Sequence, residues 1–459
     1  MTKKLKGNRE RDFRLNSRDE RNALLKPKQG WIDDPGTVER QRRAGRRIKA
    51  AAEAIVRGAQ ASSIFAAFIM AMGPVHAYAQ DDERDVGVQE RSRPEFDPQG
   101  LRFGGFNLNA SAELSAQHVD NVFASEADAK SDWVYGVSPK ATLSSDWSRN
   151  AVVISAGGSF PKYGTYSSEE VDTGYLSGYG RLDFGDDSQL SGTLRTSHEE
   201  EPRSDLAADS ARPTPVEYDR NEAQVMAQHT LNRFRVQASA STAKYDFDGA
   251  DQRFRDHTDN TLTGRVEYAI SPRVRLVGEV SGNKRDYSNS PVLSSDGRTY
   301  LAGVALDLTH LIRGEFTVGR FSQDYPTGTV DGTALSSNLE WFVTGLTTVG
   351  FEAHRDVQES TDTSSSPFVD SRWQVRVDHE LLRNVILHGD IGYEKWSFEP
   401  PVVQEDKAAS AHAEIKYLMN PRVAVRLTYG HDRNDSSGIP DPHHDYDVNT
   451  ILAGFTLRL

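Results

Sequence analysis

Histidines and carboxylates near the end of the chain are the first candidates for chemistry in this sequence. His443 and His444 lie close to Asp441, Asp445 and Asp447, and imidazole with carboxylate is a donor set that metal ions accept. The same stretch is rich in Asp, Gly and Pro, which is typical of a solvated turn. We therefore predict no metal site there.

An acidic run and three isolated histidines form a second group of candidates. Glu199–Glu201 precede Pro202 and could bind Ca²⁺, although a charged loop that keeps the surface soluble is the interpretation we prefer. His354, His388 and His412 could serve a Ser/His hydrolase, but none lies in a Gly-x-Ser-x-Gly setting or beside an obvious partner. We therefore predict no catalytic residue and no cofactor.

The charge balance indicates that the body of the chain does not bind nucleic acid. The 459 residues have a net charge of -13 and no cysteine, which excludes disulfides, thiol catalysis and Cys-ligated zinc. Residues 1–79 carry 17 Lys+Arg against 8 Asp+Glu, whereas the remainder carries 37 against 59. So acidic a body lacks the clustered cations that phosphate contacts require. A mean hydropathy of -0.62 also excludes a bundle of membrane helices.

The basic head ends in one stretch that is apolar enough to meet a membrane. Ala61–Ala79 contains no charged residue, follows Arg57 and ends in Ala77-Tyr78-Ala79. A basic flank, a short apolar core and an Ala-x-Ala end predict a cleaved signal peptide. A transmembrane anchor is the competing interpretation, but Gly, Pro and His interrupt the run and leave it short of the ~20 residues that a span needs.

The segment before this signal is longer than an ordinary signal needs. Residues 1–55 are polar and Arg-rich, and a chain that began at Val56 would have a signal of normal proportions. We hypothesise that residues 1–55 reflect a wrongly assigned start, and an authentic extension is the alternative.

Apolar and polar residues alternate along most of the remaining chain. Between Phe106 and Gln117 the even positions are apolar or small and the odd positions are polar. A period of two places the two sets on opposite faces of a β-strand. The pattern recurs at residues 261–270, 274–281, 372–380, 385–394 and 423–429.

Two kinds of connection alternate between the predicted strands, which are ~10 residues long. Short turns include 232–233, 271–273, 344–345 and 382–384, and longer polar loops include 119–131, 198–217, 322–332 and 397–407. Counting strands between them gives about 18, with both termini at the turn end. The series predicts an all-β fold, a single antiparallel transmembrane β-barrel with short periplasmic turns and long extracellular loops. A sheet in hydrocarbon must close so that every backbone N–H and C=O is paired; a soluble sandwich or propeller is the alternative.

A barrel assigns a role to each face of its strands. Acids and bases are mixed on the polar set, without the ring of one sign that would indicate ion selectivity. We therefore expect either a neutral, hydroxyl-rich solute or a lumen packed by its own charges. The predicted lumen-lining residues are Arg265, Glu267, Arg275, Glu279, Glu340, Glu352, Arg372, Arg376, Asp378, Glu380, Asp390, Glu394, Glu414, Lys416 and Arg426.

Aromatic residues near the turns and loops are candidates for the girdles that barrels place at the two membrane interfaces. Trp396, which lies on the inward set, could instead stack on a sugar ring. The girdle candidates are Trp133, Tyr135, Tyr175, Tyr268, Tyr300, Trp341, Trp373, Tyr393, Trp396, Tyr417 and Tyr429.

The last strand resembles the C-terminal signal of outer-membrane barrels, with Gly454 in its place and hydrophobic residues at Leu457 and Leu459. It departs from that pattern by ending on Leu rather than Phe and by having Leu452 where a polar residue is usual. The resemblance implies recognition by the barrel assembly machinery.

The mature sequence, over roughly residues 90–459, resembles the putative beta-barrel porin type-2 family of proteobacterial outer-membrane proteins. The motifs that carry the resemblance are Arg91-Ser92-Arg93-Pro94-Glu95-Phe96-Asp97, Gly100-Leu101-Arg102, Asp120-Asn121-Val122-Phe123 and Ser145-Asp146-Trp147-Ser148. The resemblance implies an outer-membrane barrel, often encoded beside exopolysaccharide synthesis and export systems, with no catalytic residue assigned.

Four segments and several functions follow from this reading. The segments are a basic extension at 1–55, a signal peptide at 56–79, a periplasmic tail at 80–101 and a barrel at 102–459.

We expect a conduit or scaffold in exopolysaccharide secretion. The alternatives are a general or sugar-selective diffusion porin, a non-conducting surface-binding barrel and an outer-membrane hydrolase. The expected partners are outer-membrane lipid and lipopolysaccharide, the barrel assembly machinery and polysaccharide export proteins, with no nucleic acid.

Overall fold

A computed structural model shows an all-β protein whose strands form one closed antiparallel barrel. It describes residues 86–205, 212–308, 311–359, 367–400, 402, 404–438 and 445–459. The strands are β1 Leu101–Phe103, β2 Phe106–Val119, β3 Asp132–Ser145, β4 Ala151–Tyr163, β5 Thr173–Phe184, β6 Ser188–Glu201, β7 Val216–Leu231, β8 Phe234–Phe247, β9 His257–Ser271, β10 Val274–Tyr287, β11 Ser295–Leu308, β12 Ile312–Tyr325, β13 Gly328–Thr344, β14 Thr347–Gln358, β15 Phe368–Leu382, β16 Val385–Phe398, β17 Gln404–Asn420, β18 Val423–Gly438 and β19 Tyr446–Arg458.

The barrel closes between its last long strand and its first. β19 pairs with β2 from Thr450 opposite Val119 to Arg458 opposite Ser111. Below that point the short β1 takes over the same edge of β2, with Leu101 opposite Leu108. Each of the 18 strands from β2 to β19 therefore has two partners, which confirms the predicted barrel and strand number.

The strands are longer than the ~10 residues expected from the pattern, since β2–β19 contain 12 to 17 residues each. They extend beyond the apolar band at the loop end. The acidic run Glu199–Glu201, expected in a loop, belongs to β6. The predicted loop 322–332 is wrong, because β12 and β13 form a tight hairpin between Tyr325 and Gly328. Strand pairing continues beyond the membrane wherever neighbouring strands can still form backbone hydrogen bonds with each other.

The described residues outside the strands contain three short 3₁₀ turns, at Ser167–Glu169, Arg253–Arg255 and Pro291–Leu293. No helix in the described ranges is long and apolar enough to span a membrane. The predicted extension, the signal with Ala77 and Ala79, and the His443-His444 pair lie outside the described residues.

The outward face of the barrel is apolar and exposed. Leu194 and Leu262 are each 66% exposed and Ile391 is 61% exposed. Exposing this apolar surface costs free energy in water but not in lipid. Most of the predicted girdle residues are exposed on this face, among them Trp133, Tyr135, Tyr300, Trp341, Trp373, Tyr393, Tyr417 and Tyr429. The outward face is thus suited to hydrocarbon.

Two predicted girdle residues point inward instead. The ring of Tyr175 lies 4.7 Å from the guanidinium carbon of Arg195 on the inner face. Trp396 is 2% exposed and stacks on Phe368 with ring centroids 4.1 Å apart. The girdle assignment is wrong for both, and Trp396 is too buried to stack on a sugar. The face of the sheet on which an aromatic side chain lies is determined by its position in the two-residue period and not by its distance from a loop.

Candidate functional site

Ion pairs between strands that are not neighbours identify the inner face of the barrel. Arg265 on β9 forms an ion pair with Glu315 on β12, and Arg426 on β18 pairs with Glu113 on β2 at 2.7 Å. Side chains can meet over intervening strands only on the concave side of a curved sheet. The face that carries these residues therefore surrounds the lumen.

The predicted lumen residues lie on this face and are mostly linked in pairs. Arg265 also contacts Glu267 at 3.0 Å and Glu279 at 3.2 Å. The other pairs are Arg275–Glu267, Arg376–Glu340, Arg376–Glu352, Arg372–Glu394 and Arg426–Glu414, while Lys416 acts electrostatically on Glu113. Sequence reasoning did not single out Glu113, Arg313 or Glu315, although each occupies the polar position of its strand.

Two glycines make room for the arginines of this wall. A Cβ at Gly350 would lie 2.6 Å from Cγ and Nε of Arg376, and a Cβ at Gly454 would lie 3.0 Å from Cγ of Arg426. Both guanidinium groups therefore lie flat over backbone that has no side chain. Gly454 of the C-terminal motif has a packing role here, while Leu457 and Leu459 are about half exposed on the lipid side.

A ladder of carboxylates and imidazoles runs across β15, β16, β17 and β18. Asp378 lies 2.7 Å from Nδ1 of His388, whose Nε2 is 3.3 Å from Asp390. Asp390 lies 3.0 Å from Nδ1 of His412, and Asp432 continues the series. His388 is thus held between Asp378 on the neighbouring strand and Asp390 on its own strand, and His412 between acids on the strands to either side. His354 pairs with Asp356, two residues farther along its own strand, at 3.1 Å.

Residues 86–97, here called the N-terminal strap, lie inside the turn end of the barrel. Val88 is fully buried against Ile386, Leu418 and Ala424, which face inward from β16, β17 and β18. The backbone N–H of Val88 donates to the hydroxyl of Thr348 at 3.1 Å. The segment that we expected as a periplasmic tail is therefore folded against the inner wall.

Charged contacts fix the strap to one carboxylate in particular. Glu380 accepts hydrogen bonds from Arg91 at 3.4 Å and from Arg93 at 2.8 Å, and all three side chains are buried. Burial lowers the pKa of the Arg93 guanidinium, and the Glu380 carboxylate partly offsets that effect. Glu90 contacts Arg313 at 3.3 Å. These contacts place the strap on the side formed by β12 to β18.

The lumen is also narrowed at the loop end. β13 pairs with β14 only as far as Leu335 opposite Arg355, and beyond it Val357 and Val369 pack on inward residues of the β12–β13 hairpin, including Phe321. The tip of β14–β15 therefore bends into the barrel. Glu359 extends this tip to contact Arg285, Ser295 and Tyr325.

The loop after β6 reaches the same region from the opposite side of the mouth. Tyr446 on β19 donates a hydrogen bond to the carbonyl of Ser204. Arg203 contacts Glu169 at 2.8 Å. The loop end is thus held by contacts between elements that are far apart in the sequence.

The inner wall of β6 to β10 has a different composition at mid-height. Two adjacent rows of paired residues contain hydroxyl, amide and thioether side chains and no charge, and we call them the neutral belt. The rows are Thr193, Gln224, Ser241, Thr261 and Asn283, and Ser191, Met226, Ser239, Thr263 and Ser281. The belt offers donors and acceptors for hydrogen bonds without favouring either sign of ion.

Within the described residues, no group of three or more His, Asp or Glu side chains is arranged to hold a metal ion. The arrangement is a passage with a paired ionic wall, a neutral wall and a narrowing at each end. Its chemistry is that of a polar pore.

Comparisons with known proteins agree with this architecture. Residues 93–459 match the model of the family described as putative beta-barrel porin 2. The chain has no significant match among curated proteins.

Solved structures that are similar to this chain include proteins of two bacteria. Pseudomonas aeruginosa OpdL is 14% identical over 78% of this chain and 100% of its own, with a TM-score of 0.40. P. aeruginosa OccK2 (OpdF) in complex with glucuronate is 13% identical over 79% and 100%, with a TM-score of 0.44. Acinetobacter baumannii OccAB3 is 12% identical over 78% and 100%, with a TM-score of 0.43.

Proposed function

Because the chain belongs to the putative beta-barrel porin 2 family, and is therefore an outer-membrane β-barrel of the Gram-negative type, we propose that it conducts neutral, hydroxyl-rich molecules. The observation that carries the proposal is the neutral belt. Hydroxyl and amide groups exchange hydrogen bonds with a carbohydrate at little cost, whereas an ion gains nothing from them. The charges elsewhere on the wall are mostly paired with one another, and acids and bases are mixed rather than arranged in a ring of one sign.

The physiological form of this activity that we propose is a conduit for exopolysaccharide secretion. The resemblance to a family often encoded beside polysaccharide export systems supports this direction of transport. An extended glycan chain is thin and uncharged over long stretches, so it fits a passage that is narrowed at both ends. Polysaccharide export proteins at the periplasmic side are the partners that this role requires.

A sugar-selective diffusion porin is the second candidate, and the narrowing of the lumen favours it. The N-terminal strap and the β14–β15 tip both occupy space inside the barrel, which restricts solute size. A non-conducting, surface-binding barrel is the third candidate, favoured by the same two elements if they close the passage completely.

Deletion of the gene, followed by complementation, separates these candidates. For secretion we expect loss of polysaccharide in the medium with unchanged uptake of small sugars, and for a diffusion porin the reverse. Absence of conductance steps in planar bilayers would leave only the closed barrel. Secreted polysaccharide that is unchanged by the deletion would overturn the secretion role.

A pair of matched variants tests the neutral belt itself. Ser241→Arg combined with Thr261→Arg puts two cations into the belt, and we expect complementation to fail although the barrel is present in normal amount. Thr242→Arg is the control, because Thr242 is the next residue of β8 and faces outward. Equal complementation by both variants would contradict passage along the belt.

A further inference from the structure

A cluster of arginines lies on the outside of the barrel, just above the apolar band at the loop end. Arg298 on β11 and Arg320 on β12 are exposed, and Arg355 follows on β14. Arg320 is directly opposite Tyr300, a residue that is 53% exposed in the expected aromatic girdle. The three guanidinium groups are therefore at the height of the lipid headgroups.

These arginines have no carboxylate partner among the described residues, unlike three lysines on the outer face at that height. Lys244 contacts Asp246 at 2.6 Å, Lys284 contacts Asp286 at 2.7 Å and Lys407 contacts Glu405 at 2.7 Å. By contrast, the side chains of Arg298 and Arg320 form no hydrogen bond or ion pair with any of the described residues.

Arg355 is held in place without being neutralised. Its Nε donates to the hydroxyl of Thr333 at 3.2 Å, and its Nη1 donates to the hydroxyl of Ser371. Three outward acids lie nearby. Asp296 and Asp324 are opposite each other, one step farther from the membrane, and Asp331 on β13 shares the row of Arg298 across Ser322. Within the part of the chain that the structure describes, none of these acids forms an ion pair with the three arginines, so the guanidinium groups are open to a ligand and have an apolar surface beneath them.

The chemistry of a ligand for this patch follows from its two parts. Guanidinium groups bind phosphate through paired N–H donors. Below them Tyr300, Val318 and Phe316 are 53%, 49% and 41% exposed, which suits acyl chains. Longer loops mark the extracellular end of a barrel, so the patch faces the outer leaflet.

We propose that Arg298, Arg320 and Arg355 bind the phosphorylated headgroup of lipopolysaccharide, with its acyl chains lying on β11 to β14. This inference does not depend on what passes through the lumen. It assigns a specific lipid contact to one side of the barrel.

The test is titration of the full barrel in detergent with bis-phosphorylated lipid A, with bound lipid counted by native mass spectrometry. Arg298→Gln combined with Arg320→Gln should weaken binding roughly tenfold or more, since each surface cation near an anionic lipid contributes on the order of 1 kcal/mol. Arg433→Gln is the matched control, because Arg433 is an exposed outward arginine on β18, away from the cluster. It should bind as the unaltered protein does.

Any of four outcomes would overturn the proposal, the last two of which concern the ligand. One is equal binding by the double variant and the unaltered protein, and another is an equal loss in Arg433→Gln. The third is equal affinity for lipid A without phosphates, and the fourth is displacement of lipid A by the same concentration of inorganic phosphate. Heat-modifiable migration in gels, measured for each variant and for the two single substitutions, ensures that only folded barrels are compared.

Discussion

Glu380 is the residue that holds the N-terminal strap, because it accepts from both Arg91 and Arg93 in a buried setting. Removing one member of a buried ion pair costs roughly 3–5 kcal/mol, since the remaining charge loses its partner. Here one substitution leaves two guanidinium groups without this carboxylate. The strap should therefore leave the wall when Glu380 is neutralised.

We expect Glu380→Gln to expose Val88. Because the chain has no cysteine, Val88→Cys provides a single site for a maleimide reagent, and its labelling rate reports release of the strap. Glu95→Gln is the control, because Glu95 belongs to the same strap but makes a weak contact. Its side chain is 65% exposed and lies as far as 3.9 Å from Nε of Arg383. Slow labelling in both variants would show that Glu380 does not hold the strap.

Arg265 is the centre of another ionic group, with Glu267, Glu279 and Glu315 around it. Arg265→Gln would remove the positive charge that neutralises these carboxylates. Unpaired carboxylates in a pore wall favour the passage of cations. We expect the reversal potential in a KCl gradient to shift toward cation selectivity. Arg102→Gln is the comparison, because the Arg102 side chain is 73% exposed and pairs with Asp146. A shift of the same size in both would contradict a role for Arg265 in the lumen.

At the scale of elements, the strap and the bent tip of β14–β15 determine the width of the passage. The strap covers the ionic side of the wall, from β12 to β18, whereas the neutral belt belongs to β6 to β10. The tip rests on apolar contacts of Val357 and Val369 with Phe321. Two elements that project into the barrel, one before its first strand and one at the end of a hairpin, thus limit how much of the lumen is open.

Deletion of residues 86–97 should raise the single-channel conductance in planar bilayers, because it removes chain from the turn end of the lumen. The barrel itself should still fold, since the pairing of β19 with β2 does not involve the strap. Heat-modifiable migration verifies folding before conductance is compared. An unchanged conductance of folded protein would mean that the strap does not limit the passage.

At the scale of the whole molecule, closure between β19 and β2 is the contact on which the fold depends. Each backbone group left unpaired in hydrocarbon costs several kcal/mol. Both edges of the sheet would be exposed if β19 were absent.

Truncation of residues 446–459 should therefore abolish the folded, heat-modifiable form and leave aggregated or degraded protein. The deletion of residues 86–97 is the comparison, because it removes a similar length of chain and leaves both edges paired. A truncated protein that still partitions as a folded barrel would contradict closure by β19.

The strap, the ladder and the bent tip could not be predicted from the sequence. Asp378 beside His388, and Asp390 and Asp432 beside His412, lie on neighbouring strands, so these contacts are defined only by register. Val88 and Arg93 belong to a segment without strand periodicity, so nothing local indicated that they would fold into the barrel. Tyr175 and Trp396 were assigned to the girdles by their closeness to loops, although their position in the period placed them inside.

The sequence alone determined the barrel, its 18 strands and which residues of each strand share a face, because the alternation of side chains is a local property with a fixed period. It did not determine which acid meets which base, or how much of the lumen remains open. Those depend on the curvature of the closed sheet and on chain that folds back into it, and only the tertiary structure brings together residues hundreds of positions apart.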